Sequence, residues 1–252
     1  MKKTLFALAA LVFTTMLAGC EKEDKNSISK SDVNKGIVMI EGRNGKEFAA
    51  VDLGLSSGIL WATCNIGASS PEETGNYYAW GEIEPKSYYD AYSYKWLDEK
   101  YAATYTKYIN DKKDNPYYND STKKNVLYPE DDVAYMVMGE NWFMPSQEDF
   151  EELIFRCERR YCKLNGVWGF LFTSKVKGYT DNSIFLPFAG RREDNKIKFD
   201  EDYGFYWSRN LYTKPESDCA YNLWLQADPD IADAKKFSNR TMGLSVRAVT
   251  LK

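Results

Sequence analysis

Two capped helical segments, set between groups of strand-like segments, constrain most strongly what this chain can fold into. The first begins with Pro-Glu-Asp-Asp at 129–132 and ends at Gly139, because acidic residues complement the dipole at a helix start and Gly terminates helices. The second has Ser146 as its N-cap and Asp149 three residues later. Its apolar residues recur at helical spacing and predict a helix that extends to Tyr161; they are Phe150, Leu153, Ile154, Cys157 and Tyr161.

Strand-like segments lie on both sides of these helices. Segments at 37–40 and 48–53 flank a turn with Asn44-Gly45, and 59–64 returns after a turn at 55–58, which predicts two hairpins. The pattern of strands, two central helices and strands again predicts an α+β domain. The later strands are expected at 169–176, 183–188, 205–208, 220–225 and 244–251, with charged loops at 190–204 and 226–240.

The N-terminus predicts export. An apolar run at 5–17 follows Lys2 and Lys3, is too short to span a bilayer and ends in small residues, so residues 1–19 are predicted to be a cleaved signal peptide. Leu-Ala-Gly-Cys at 17–20 resembles the bacterial lipoprotein box. This implies that Cys20 carries a diacylglyceryl group and the new N-terminus a further acyl chain such as palmitate, which together anchor the protein in a membrane. An ordinary signal peptide is the alternative.

The polar segment at 20–36 is predicted to be a flexible tether. Its acidic start, Glu-Lys-Glu-Asp at 21–24, resembles the export tag of surface lipoproteins in the Bacteroides group. That resemblance implies an outer-membrane lipoprotein exposed on the cell surface.

Charge and composition exclude several classes of function. Without residues 1–19 the chain has 233 residues and 31 basic against 37 acidic side chains, a net charge of −6 with no polybasic stretch, so no nucleic-acid partner is expected. The chain has no histidine, which excludes His-dependent triads and His-ligated metal sites. We therefore expect no catalytic residues, no metal and no cofactor. Aromatic residues make up 15% of the chain, which favours a binding surface.

Four cysteines remain besides Cys20, and in an exported protein an even number suggests two disulfides with three connectivities. Cys157 and Cys162 are five residues apart on a predicted helix, so their Cβ atoms point in different directions and a bond between them is unfavourable. The preferred pairing joins Cys64 to Cys157 and Cys162 to Cys219. Buried thiols are the alternative.

A long polar insertion at 86–125 contains 9 of the 19 tyrosines and carries weak secondary-structure signals. An irregular segment of that length is usually functional or mobile. It could pair with another chain, so a structural or assembly role in a surface complex or fimbria is the alternative to ligand binding.

Five blocks in the same order resemble the Fibrobacter succinogenes major paralogous domain of exported Bacteroidetes proteins. The blocks are VDLGLSSGILWATCNIGASSPEETGNYYAWGE at 51–82, LYPEDDVAYMVMGENWFMPSQEDFEEL at 127–153, NSIFLPFAG at 182–190, YWS at 206–208 and GLSVRAV at 243–249. The resemblance implies that residues 37–252 form one C-type lectin-like domain, with antiparallel strands and hairpins around two helices and long loops. The chain departs from the family pattern at Ser56, Phe143 and Ala248, where the family tends to have Pro, Arg and Pro.

The resemblance also implies a non-catalytic surface module that recognises a glycan or protein ligand through its loops and last strands. Mapped onto this sequence, the candidate ligand-binding residues are Arg191, Arg192, Asp200, Asp202, Tyr203, Arg209, Tyr212, Trp224, Asn239 and Arg240. Trp207, in the YWS block, is expected in the core.

Other candidate chemistry has simpler explanations. The relatives with formylglycine-type catalysis use two cysteines near the end of the fold, where this chain has only Cys219. Asp131 and Asp132 could form a catalytic carboxylate pair, but their position at a helix start already explains why two acidic residues stand there. The carboxylates at 228–233 could group as Ca²⁺ ligands, although a solvated acidic loop is the favoured interpretation.

Overall fold

The computed structural model describes residues 26–98, 104–109, 115–118, 124–213 and 218–251. These residues form mainly antiparallel sheets with two α-helices, in agreement with a chain of mixed α and β structure. The helices are α1 Val133–Met138 and α2 Gln147–Arg156. The strands are β1 Ser27–Ile28, β2 Ile37–Glu41, β3 Glu47–Asp52, β4 Ile59–Ala62, β5 Leu97–Asp98, β6 Thr104–Tyr105, β7 Trp142–Phe143, β8 Cys157–Leu164, β9 Val167–Ser174, β10 Ser183–Pro187, β11 Ala189–Glu193, β12 Lys196–Asp200, β13 Tyr203–Leu211, β14 Cys219–Gln226, β15 Ile231–Asn239 and β16 Val249–Leu251.

The first sheet has the order β2-β3-β4-β16-β7 and joins the early strands to the last one. Strands β2, β3 and β4 are antiparallel neighbours, with Val51 opposite Trp61, so both predicted hairpins are confirmed. In the first turn, Asn44 and Gly45 have φ values of 59° and 72°. Gly adopts this left-handed conformation freely and Asn tolerates it, which is why this dipeptide predicts a hairpin turn.

Helix α1 ends at Gly139 as predicted, but it begins at Val133, because residues 129–131 form a separate 3₁₀ turn. Asp132 is the N-cap, and its carboxylate accepts hydrogen bonds from the backbone N–H groups of Ala134 (2.9 Å) and Tyr135 (3.3 Å). The same carboxylate accepts from the Met144 N–H at 2.9 Å, so it also ties the helix to the segment that follows, and Gly139 is the C-cap. The side chain is buried, and this burial raises the pKa of Asp132 to about 6 although the backbone hydrogen bonds oppose the shift.

The raised pKa of Asp132 predicts a pH dependence of stability. Because the folded protein binds this proton more tightly than the unfolded chain, the contribution of Asp132 to the free energy of unfolding should rise as the pH falls through 6. Between pH 7 and pH 5 we expect a gain of about 1 kcal/mol that Asp132→Asn lacks, measured by urea unfolding. Asn is also a good N-cap, so the variant should fold. Identical pH dependence in the two proteins would contradict this assignment.

Helix α2 begins as predicted but ends early. The Ser146 N–H donates to the Asp149 carboxylate at 2.7 Å, and the Asp149 N–H donates to Ser146 Oγ at 3.1 Å, which closes the capping box. The expected extension to Tyr161 is wrong, because the helix ends at Arg156 and the chain continues as β8. A tight Asn-Gly turn at 165–166, with positive φ at both residues, pairs β8 with β9 along its whole length, and this pairing overrides the helical spacing.

The second sheet has the order β1-β8-β9-β10. Its first strand, β1, lies within the segment that was predicted to be a flexible tether. Residues 26–36 were expected to be flexible, but β1 pairs in parallel with the end of β8, and Ile28 and Val33 are buried in one cluster with Leu164 and Phe185. The apolar side chains account for this packing. Cys20 and the rest of the predicted signal and tether lie outside the described residues.

The third sheet has the order β12-β11-β13-β14-β15. Its strands β11, β12 and β15 replace the charged loops expected at 190–204 and 226–240, so that prediction is wrong. All five residues of β12 are exposed, because the strand lies at the sheet edge, and the sequence carries only a weak apolar signal there. The turn between β11 and β12 has Asp194 in the left-handed region, with φ of 54°.

Two main apolar clusters fill the interior, and β13 contributes to both. Phe205 and Trp207 lie in one cluster and Tyr206, between them, lies in the other, as the alternation of a strand requires. Trp207 is fully buried, which confirms its expected place in the core.

The four cysteines of the described residues form no disulfide. The preferred bonds between Cys64 and Cys157 and between Cys162 and Cys219 are therefore wrong. Cys157 and Cys162 lie on β8 and not on a helix, and they pack into different apolar clusters. Burial raises the pKa of Cys157 to about 12, so its thiol stays protonated at neutral pH.

Candidate ligand-binding site

Three of the ten candidate residues come together on one face of the third sheet. Tyr203 and Trp224 have ring centroids 5.8 Å apart, and both contact Phe205. The Arg191 guanidinium lies 5.2 Å from the Phe205 ring and 5.1 Å from the Phe199 ring. With Lys236, which lies 5.5 Å from the Trp224 ring, these residues form what we call the aromatic shelf: Arg191, Phe199, Tyr203, Phe205, Trp224 and Lys236.

Strand pairing explains this clustering. Phe205 on β13 is directly opposite Trp224 on β14, so both rings lie on the same face of the sheet. At the other side of β13, strand β12 brings Phe199 against Phe205 and Tyr203. Gly190 allows β11 and β12 to approach closely: its φ is 59°, and an added Cβ would lie 2.4 Å from the Lys198 carbonyl oxygen.

The aromatic shelf is open to solvent in part and has charged groups at its rim. Phe199 is 45% exposed, Tyr203 and Trp224 are half-buried, and Phe205 is buried beneath them. Glu193 binds Arg191, with an N–O distance of 2.6 Å, and also binds Lys198. Burial works to raise the pKa of Glu193, but the hydrogen bonds from Lys198 and Arg191 outweigh it and hold the pKa below its usual value.

The shelf also contains a polar group with an unmet hydrogen bond. Trp224 Nε1 is buried and has no acceptor among the described residues. An unpaired buried donor costs free energy, and such groups are uncommon in folded proteins.

The structure places six candidate residues away from the shelf. The Arg192 guanidinium lies 5.5 Å from the Tyr77 ring, and Arg209 lies 5.2 Å from the Phe143 ring. Tyr212 stacks on Phe237. The other three are dispersed as well: Asp200 and Asp202 are exposed at the turn into β13, and Asn239 accepts hydrogen bonds from Thr241.

The prediction that Arg240 binds a ligand is wrong, because this side chain is fully buried. Its guanidinium donates to Tyr94 Oη at 3.1 Å and to the carbonyl oxygens of Lys107 at 3.0 Å and Tyr108 at 3.2 Å. It also lies 4.3 Å from the Tyr105 ring. All four partners come from the insertion at 86–125, so Arg240 holds the described part of that insertion against the core.

Sequence reasoning missed Phe199, Phe205 and Lys236. Phe199 and Lys236 lie in segments whose charge predicts loops, and Phe205 lies in a predicted strand with no feature that marks it as a binding residue. The signal that could have found Phe199 is the alternation Lys-Ile-Lys-Phe-Asp at 196–200, which is typical of an edge strand with one apolar face.

Two of the carboxylates considered for metal binding have other partners. Asp230 binds Arg159 at 2.7 Å, and Asp233 accepts from the Lys235 N–H at 2.8 Å. Within the described ranges, no group of three or more His, Cys, Asp or Glu side chains is arranged to hold a metal ion. No helix in the same part of the chain is long and apolar enough to cross a membrane.

Comparison of the chain with protein-family models, with curated proteins and with solved structures found no match.

Proposed function

We propose that this chain is a lipid-anchored, non-catalytic binding module of the bacterial cell surface, which recognises a glycan or protein ligand on the aromatic shelf. The observation that carries the proposal is the ring cluster itself. Four aromatic rings lie with neighbouring centroids between 5.4 and 6.5 Å apart, and the cluster is neither fully buried nor fully exposed.

The chemistry of the shelf favours a glycan. A sugar ring has an apolar C–H face and a rim of hydroxyl groups, and the shelf offers flat rings beside charged hydrogen-bonding groups. Phe199 and Trp224 provide apolar surface at low entropy cost, while Arg191 and Glu193 can donate to and accept from hydroxyl groups. A protein ligand would use the same rings as anchors for an apolar side chain.

The proposed fold is C-type lectin-like, and the proposed family is the major paralogous domain of Bacteroidetes. The five ordered sequence blocks support both proposals. Antiparallel sheets with two helices are compatible with them at the level of fold class.

A binding screen tests the proposed function. The purified protein should bind at least one ligand on a glycan and host-protein array. A variant with Phe199→Ala and Trp224→Ala should lose that signal, because two of the three partly exposed rings are gone. Phe155→Ala is the matched control, since Phe155 is 71% exposed on α2 and lies outside the shelf. No signal above background for the wild type, or equal signal for the shelf variant, would overturn the proposal.

Membrane attachment is tested separately at Cys20. If this thiol carries the lipid, Cys20→Ala should move most of the protein out of the membrane fraction, because stable anchoring depends on the acyl chains that this residue receives. Cys64→Ala is the control: it makes the same chemical change within the domain and should leave the protein in the membrane. Membrane retention of the Cys20→Ala variant would rule out the lipid.

An assembly role is the second candidate, favoured by Tyr92, which is 81% exposed in the insertion at 86–125. Deleting the insertion would remove the partners of Arg240, so Tyr92→Ser is the better test. A stoichiometric partner that co-purifies with the wild type and is lost from Tyr92→Ser would support assembly. A protein that purifies alone in both forms would argue against it.

A further inference from the structure

The chain enters the folded domain only six residues after Cys20, at Asn26. Strand β1 pairs with the end of β8, with Ser27 opposite Lys163, and the Lys163 N–H donates to the Asn26 carbonyl oxygen at 2.8 Å. The next residue of β1, Ile28, is buried. The connection between Cys20 and the domain is therefore much shorter than the predicted tether at 20–36.

The length of this connection limits the distance between the domain and a lipid at Cys20. An extended chain advances about 3.4 Å per residue, so Asn26 lies within about 20 Å of Cys20. A compact domain of this size is about 45 Å across. If Cys20 carries a lipid, Asn26 therefore lies on the half of the domain that is nearer to the membrane.

The surface around Asn26 is formed by the end of β8, the start of β9 and the turn between them. Trp168 is directly opposite Lys163 in the β8–β9 pair, and its ring lies 4.4 Å from Lys163 Nζ. Asn165, in the turn, and Lys30 both bind the Glu72 carboxylate, with an N–O distance of 3.2 Å for Lys30. We call this surface the tether face: Asn26, Lys30, Lys163, Asn165 and Trp168.

We propose that the tether face lies against the membrane that holds the chain's own lipid. This inference rests on the lipid anchor of the proposed function and adds the orientation of the domain. The short connection selects the membrane as the occupant of this face, because the acylated residue cannot move further away than about 20 Å.

The side chains of the tether face suit the headgroup region of a bilayer. The half-buried ring of Trp168 stacks on Tyr161, with centroids 4.3 Å apart. Trp and Tyr rings favour the membrane interface, and Lys can place its apolar stem there while its charged end stays in water. Asp200 and Glu201 line the cleft beside Trp168 and Lys163, so this surface carries both signs of charge. Docking should therefore occur on uncharged phosphatidylcholine.

The opposite end of β8 provides an internal control. Cys157, at that end, is opposite Ser174 on β9, and the next residue, Lys175, is exposed. A strand rises about 3.3 Å per residue, so Lys175 lies about 20 Å from Lys163. The membrane should shield Lys163 and leave Lys175 accessible.

Acetylation with an amine-reactive ester, read by peptide mass spectrometry, tests this orientation. In full-length lipidated protein inserted into preformed phosphatidylcholine vesicles, Lys30 and Lys163 should react at least threefold more slowly than in Cys20→Ala protein mixed with the same vesicles. Lys175 should react equally in both. Flotation of the same samples separates the two claims. A wild type that does not float with the vesicles would overturn the anchor and this inference with it, whereas a floating wild type with unshielded Lys30 and Lys163 would overturn this inference alone.

A longer connection tests whether its length places the tether face. A variant with a flexible Gly/Ser linker of about 20 residues inserted after Asp24 keeps Cys20 and should float with the vesicles. Its connection has a root-mean-square length of about 28 Å, so the domain can turn away from the lipid and Lys163 should lose most of its shielding. Shielding at the wild-type level in this variant would overturn the proposal, because the short connection would then not determine the orientation.

Discussion

The Arg247→Met variant is expected to lose about 3–5 kcal/mol of unfolding free energy. Arg247 is fully buried, and its guanidinium donates to Asn65 Oδ1 at 2.9 Å and to the carbonyl oxygens of Ala62 at 3.2 Å, Thr63 at 3.1 Å and Phe185 at 3.0 Å. These partners belong to the end of β4, the segment after it and β10, so one side chain joins the first sheet to the second. Met fills similar space but leaves the four acceptors without these donors.

Urea unfolding of the wild type and the variant measures this loss. The control is Arg160→Met, which makes the same chemical change at an exposed position of β8 and should alter stability by no more than about 0.5 kcal/mol. If both variants unfold at the same urea concentration, Arg247 does not join the sheets in the way its contacts indicate.

The Arg240→Met variant is expected to release the insertion at 86–125 from the core. Its guanidinium binds two backbone carbonyls and a tyrosine hydroxyl of that segment and lies against several aromatic rings, including Trp80 at 5.1 Å. An acceptor left unpaired in the interior costs about 1–3 kcal/mol, and two backbone carbonyls lose their donor, so we expect a loss of at least about 2 kcal/mol. Burial raises the pKa of Tyr94 to about 12, which keeps this partner a neutral hydroxyl group.

Limited digestion with chymotrypsin is the sharper measurement for Arg240. Cleavage after Tyr94 and Tyr108 should become at least tenfold faster in Arg240→Met, because these buried tyrosines would become accessible without global unfolding. Arg160→Met should be digested like the wild type. Unchanged cleavage inside the insertion would show that other contacts hold it.

Local signals predicted the parts of the fold that depend on neighbours in the sequence. The Asn44-Gly45 turn, the end of α1 at Gly139 and the N-cap at Ser146 were predicted because their chemistry lies within a few residues. The end of α2 was not predicted, because the apolar residues keep helical spacing up to Tyr161. Only the pairing of residues 157–164 with β9 makes this segment a strand. Strands β12 and β15 were missed because edge strands need few apolar residues.

Only part of the candidate site was predicted, because its residues come together through contacts between segments that are distant in the sequence. Arg191, Tyr203 and Trp224 lie on strands that are adjacent in the third sheet, although they are far apart in the sequence. Whether a given strand residue faces a ligand or the core depends on the face it occupies. Arg240 illustrates this dependence: a polar residue near the end of the chain looked exposed, and only the packing of a distant insertion buries it.

Calorimetric titration of the strongest array ligand tests most directly whether the aromatic shelf is the binding site. We expect Phe199→Ala and Trp224→Ala each to weaken binding by about tenfold to a hundredfold, the range typical of central aromatic contacts, while Phe155→Ala binds like the wild type. Unfolding curves for each variant establish that the fold is intact. Wild-type affinity in both folded shelf variants would contradict the assignment of the ligand to this face of the third sheet.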